Sequence, residues 1–111
     1  RTLSGGTTQK VSAVLAFLFN PGIIILDEPT AGLDPLASEI LKNKIIKEKN
    51  KGKLIIITSH LLSELDDIVS EIVFMNEGKV IVHQSVEELM TERKTEKISE
   101  SIISILKEMK P

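Results

Sequence analysis

Apolar positions along the chain change their period several times, and each change marks an element. Between Thr7 and Phe19, Val11, Val14, Leu15 and Leu18 recur at helical spacing, with the small Ala13 and Ala16 among them. A helix ending before Asn20-Pro21-Gly22 is predicted. Ile23-Ile24-Ile25-Leu26 is continuous, short and mostly β-branched, and Asp27-Glu28-Pro29 stops it. That is the pattern of a strand buried on both faces. Asp34-Pro35 predicts a helix start, with the carboxylate as N-cap and Pro at the first helical position. Leu36, Ile40, Leu41 and Ile45 supply its inward face as far as about Lys49, before Asn50-Lys51-Gly52. Leu54 to Thr58 reads as a second buried strand leading into Ser59-His60, then a helix bearing Leu61, Leu62, Leu65, Ile68 and Val69.

Beyond Ser70 the period shortens to two. Glu71 to Met75 and Lys79 to His83 alternate like strands and flank Asn76-Glu77-Gly78, where Gly can take a positive φ, so a hairpin is expected. Ser85 with Glu88 resembles a capping box opening a short helix. After the polar joint Arg93-Lys94-Thr95-Glu96-Lys97, the stripe Ile98, Ile102, Ile105, Leu106 and Met109 predicts a last helix. Apolar strands separated by a helix imply parallel pairing of Ile23–Leu26 with Leu54–Ile57 and an α/β class. Ligands of such sheets bind beyond the strands' carboxyl ends. Asp27-Glu28 and Ser59-His60 both occupy such ends.

Composition narrows the chemistry. In 111 residues, 14 Lys plus Arg stand against 16 Asp plus Glu, a formal charge of -2. No basic field is available for a phosphodiester backbone, so nucleic-acid binding is not expected. Without Cys there is neither a disulfide framework nor a thiolate metal site, and any metal would use oxygen ligands or His. The apolar runs fall far short of the roughly 18 residues that span a bilayer as a helix.

Adjacent carboxylates on Asp27 and Glu28 can divide their work. Asp27 suits Mg²⁺, a hard ion that shares oxygen ligands with nucleotide phosphates. Glu28 could orient and deprotonate the water attacking a terminal phosphorus. Taken alone, the pair is also explained as a polar strand end turning at Pro29. Ser4-Gly5-Gly6 before a helix can receive an anionic oxygen on bare amides, although a serine N-cap explains the same letters. His60 could hydrogen-bond a phosphate oxygen, or merely cap or be solvated at a strand-to-helix turn. His83 reads as a surface residue without charged companions, and Asp34 as an N-cap.

In combination the segments are far more specific. Leu3-Ser4-Gly5-Gly6, Ile23 to Thr30, Ala31-Gly32-Leu33-Asp34-Pro35 and Ile57-Thr58-Ser59-His60 follow in the order and spacing of ABC ATPases, and the resemblance covers about residues 1 to 90. It implies a partial P-loop NTPase fold with a mostly parallel sheet, flanking helices, and a C-terminal hairpin and helix. Residues 1–92 would be the C-terminal half of the ATPase domain and 93–111 a helical extension. In that family two ATPase domains pair head to tail around two ATP molecules. Ser4, Gly5 and Gly6 would then face the γ-phosphate held by the other subunit, and Asp34 would lie in the intersubunit D-loop. Asp27 would serve Mg²⁺, Glu28 would be the general base, and His60 would contact the γ-phosphate in cis. Thr7 stands where the family usually has Gln, which affects a side-chain contact near the ribose.

The phosphate-binding pattern Gly-x-x-x-x-Gly-Lys is absent from these residues and is expected upstream of Arg1. The resemblance implies ATP hydrolysis driving export through separate transmembrane permease subunits, at the cytoplasmic face of the membrane. The run from Leu3 to Ile40 also resembles ATPase subunits of copper processing in nitrous-oxide reductase maturation. Two other readings use the same letters: an ABC-type ATPase of DNA maintenance or translation, or an inactive interaction fragment.

Overall fold

The computed structural model describes residues 16–109. The chain divides into two compact units, Arg1–His60 and Leu61–Pro111.

In the first unit, a helical turn over residues 16–18 leads into β1 (Ile23–Asp27), α1 (Pro35–Asn50) and β2 (Leu54–Thr58). The remainder of the helix predicted from Thr7 lies outside the described residues. β1 and β2 pair in parallel, in register from Ile23 with Leu54 to Asp27 with Thr58, the pairing predicted by two apolar strands joined through a helix. Asp34 caps α1 as expected, its Oδ1 accepting from the Ala37 amide at 2.8 Å, with Pro35 at the first helical position. The helix closes on Gly52, whose φ of +88° supplies the left-handed conformation that a side chain would resist.

Burial corrects two expectations here. β1 is not covered on both faces: Ile24 and Leu26 are buried, but Ile23 and Ile25 are exposed, as are Leu54 and Ile56 of β2. A two-stranded sheet places alternate residues on opposite faces, and the described residues cover only one of them. On α1, Leu41 and Ile45 are buried while Leu36 and Ile40 are exposed. The buried face turns toward the last two turns of the helix, where Glu48 joins the core at 3 % exposure.

Among the described residues, Glu48 is the one strongly perturbed acid. Lys44 Nζ lies 2.8 Å from its Oε1, and Lys53 and Lys51 Nζ lie 3.0 and 3.4 Å from its Oε2. Lys44 first, then Lys53, lower its pKa from 4.5 to about 2, against the opposing effect of burial. Lys53 also donates to Asn20 Oδ1, tying the start of β2 to the turn before β1. A carboxylate depressed in the folded state stabilises fully above its unfolded pKa and ceases to do so as pH falls through its folded value. Glu48→Gln is therefore expected to lower the urea midpoint at neutral pH. The deficit should shrink between pH 4.5 and about 2; denaturation curves showing a constant deficit across that range would contradict the ion cluster.

The second unit opens with a 3₁₀ turn at Leu62–Glu64 rather than the predicted helix. Leu61, at the N-cap position, has no side chain able to cap. Asp66 is spent elsewhere, its Oδ1 accepting from the Ile98 amide at 2.7 Å and so capping a different helix. Leu65 and Ile68 are buried without helical continuity. β3 (Glu71–Asn76) and β4 (Lys79–Ser85) form the expected antiparallel hairpin. Glu77 and Gly78 both have positive φ, as a two-residue type I′ turn requires. An irregularity between Phe74 and Met75 shifts the register by one residue on β4.

Ser85 then caps α2 (Val86–Arg93), accepting from the Glu88 amide at 3.1 Å. Left-handed Lys94 ends that helix, and α3 (Ile98–Met109) follows. Ile98, Ile102 and Ile105 are buried with Leu89, Val86, Ile72 and Val82. Met109 departs from the expected stripe and is exposed at the helix end. His83 is not without a charged companion, since its Nε2 lies 3.0 Å from Glu71 Oε1 across the hairpin. The two residues are not direct register partners (His83 faces Val73), and a diagonal pairing is invisible to linear spacing. Among the described residues no helix is long and apolar enough to cross a membrane.

Candidate functional site

The carboxyl ends of β1 and β2 carry the polar groups of the first unit. The parallel register ends on Asp27 beside Thr58, so these two side chains leave the sheet on the same side. The Thr58 hydroxyl donates to Asp27 Oδ1. The next residue, Glu28, is not extended: its φ is +47°, in the left-handed region that non-glycine residues rarely occupy. Its amide is turned back onto β2, donating to the Thr58 carbonyl at 2.9 Å and to Thr58 Oγ1 at 3.2 Å. Backbone of this kind persists where its surroundings hold it, and it recurs at functional sites.

The reversal sends Glu28 toward the segment after β2. His60 Nδ1 stands 2.7 Å from Glu28 Oε1, with the imidazole largely exposed and the carboxylate about one-third exposed. Three sequence-predicted site residues, Asp27, Glu28 and His60, are therefore gathered at one end of one sheet. Asp34, seven residues beyond Asp27, sits at the start of α1 with one carboxylate oxygen committed to the cap. Ser4, Gly5 and Gly6 lie outside the described residues.

Among the described residues, no three His, Cys, Asp or Glu side chains converge as a metal cage. The local donor set is one exposed carboxylate, Asp27, with a hydroxyl holding one of its oxygens. This fits Mg²⁺, which keeps several waters and takes further ligands from substrate phosphates. Thr58 is the neighbour of Asp27 to which pattern reading gave no role of its own. The sequence shows it as the end of a strand and as part of the Ile57-Thr58-Ser59-His60 segment, but only the strand register decides that it stands beside Asp27.

Comparison with known proteins bears on the same segment. Residues 1–66 match the family model described as "AAA domain, putative AbiEii toxin, Type IV TA system". The chain is 36% identical over 87 residues to the uncharacterized ABC transporter ATP-binding protein YhaQ of Bacillus subtilis, covering 78% of this chain and 29% of that protein. It is 38% identical over 79 residues to the human phospholipid-transporting ATPase ABCA3, covering 71% of this chain and 5% of the relative. A solved structure described as the ATP binding subunit of an ABC transporter superposes with a TM-score of 0.82 at 29% identity, over 94% of this chain and 44% of that one. The chain thus spans less than half the length of these relatives. An α/β fold shared with ABC ATPase structures and this set of relatives lead to one assignment: the chain belongs to the ABC transporter ATP-binding domain family, with the P-loop NTPase fold.

Proposed function

We propose that this chain supplies the water-activating part of an ATP-binding subunit that hydrolyses ATP to drive an ABC transporter. The observation that carries the reading is the 2.7 Å contact of His60 with Glu28 at the sheet end that also bears Asp27. Glu28 is the general base and accepts a proton from the attacking water. With its Nδ1–H donating to the Glu28 carboxylate, His60 has Nε2 left to meet the γ-phosphate, where it can donate only from the doubly protonated ring. Asp27 holds Mg²⁺, which when bound offsets phosphate charge. Ser4, Gly5 and Gly6 receive the γ-phosphate of ATP held by a second, head-to-tail subunit, and Asp34 lies along that subunit interface.

In this reading residues 1–92 form the C-terminal half of the ATPase domain and 93–111 its helical extension. The subunit sits at the cytoplasmic face of the membrane, bound to separate transmembrane permease subunits, and works in export. The resemblance of Leu3 to Ile40 to copper-processing ATPases supports a narrower assignment. Loss of copper loading in a strain lacking the subunit would test it, and unimpaired loading would refute it.

The 111-residue chain by itself is expected to release no measurable phosphate from ATP. The amides and Lys of a Gly-x-x-x-x-Gly-Lys loop, which neutralise the β- and γ-phosphates, are not among its residues. Phosphate release by the purified chain that Glu28→Gln abolishes would overturn that expectation. ATPase activity of the full-length subunit, lost in Glu28→Gln, is the test of the function itself.

A further inference from the structure

We propose that Thr58 is a positioning residue of the ATP site, holding Asp27 in place for a divalent ion; the inference rests on the ATPase reading above. One side chain makes two different contacts. Its hydroxyl proton goes to Asp27 Oδ1, and its oxygen receives the Glu28 amide at 3.2 Å. A threonine at the end of a strand is stiff about χ1, so the hydroxyl is held where the register puts it. A charge-assisted bond from that hydroxyl fixes the plane of an otherwise exposed carboxylate. Groups that orient metal ligands in this way commonly contribute ten- to hundredfold in affinity or activity.

The two contacts are not equally replaceable. Without the hydroxyl, the Glu28 amide keeps its 2.9 Å bond to the Thr58 carbonyl, so the reversed backbone retains a partner. Asp27 loses the one hydrogen-bond donor seen on its carboxylate among the described contacts. Removal of the hydroxyl should therefore appear in metal dependence rather than in nucleotide binding.

The test compares full-length wild-type, Thr58→Val and Thr58→Ser subunits. Val preserves the branched shape, and Ser preserves the hydroxyl. Binding of ATP without divalent ion is measured first, then Mn²⁺ affinity of the ATP complex by electron paramagnetic resonance, then hydrolysis against Mg²⁺ concentration. In Thr58→Val, Mn²⁺ affinity is expected to fall, and half-saturating Mg²⁺ to rise, by about tenfold. Metal-free ATP affinity and the thermal midpoint should stay at the wild-type values, and Thr58→Ser should recover within about twofold of wild type. Equal Mn²⁺ affinity in wild type and Thr58→Val overturns the proposal, as does a loss that extends equally to metal-free ATP binding or that Ser does not restore. A wild-type subunit without ATPase activity would remove the underlying reading. Activity that Glu28→Gln abolishes, together with unchanged metal affinity in Thr58→Val, removes only the role of Thr58.

Discussion

Glu28→Gln in the full-length subunit is expected to slow ATP hydrolysis by about a hundred- to ten-thousandfold, the usual worth of a positioned general base. ATP affinity should hardly change. The amide side chain is nearly isosteric and can still hydrogen-bond His60, but it cannot take a proton from water at neutral pH. The loss belongs to the transition state and should lower kcat and kcat/KM together. Single-turnover hydrolysis and equilibrium ATP binding on one preparation check both halves. Unchanged turnover would remove Glu28 from the role of base and leave the His60 contact a structural hydrogen bond at a largely exposed site.

A second large effect is expected at Gly6, which lies outside the described residues and which the proposal above assigns to the site for the γ-phosphate of the opposite subunit. Gly6→Val should close that site by steric intrusion, and the lesion should fall on ATP held by the opposite subunit. Mixed dimers separate the two possibilities. With a phosphate-loop mutation on one chain and Gly6→Val on the other, assembly in trans disables the same site twice and leaves one site working. With both mutations on one chain, trans assembly leaves no working site. Counting occluded nucleotides per dimer reads out the result, and the reverse pattern would show that Gly6 serves ATP bound by its own chain.

The local grammar of the chain was readable from its residues. Asp34-Pro35 states a capped helix start, Glu77-Gly78 a tight hairpin turn and Ser85 another cap, because each depends on bonds spanning three or four residues. Parallel pairing of β1 and β2 followed from their apolar continuity and the intervening helix, and it put Asp27 and His60 at the same end of a sheet. Motif order then pointed to the chemistry. None of these inferences needed contacts between residues far apart in sequence.

What only the tertiary structure decided was set by such contacts. The left-handed Glu28 follows from its amide reaching back to Thr58, thirty residues on, and no local propensity announces it. Where a helix is predicted after His60, Asp66 instead caps α3 at Ile98, thirty-two residues away, and Leu61 offers no side-chain cap of its own. Nothing in the hydrophobic pattern singles out Glu48 of α1. It is buried because Lys53, beyond the helix, completes a cluster with Lys44 and Lys51. Thr58 acquires its part through strand register alone: a slip of one residue would turn it to the other face of the sheet and leave Asp27 without its donor.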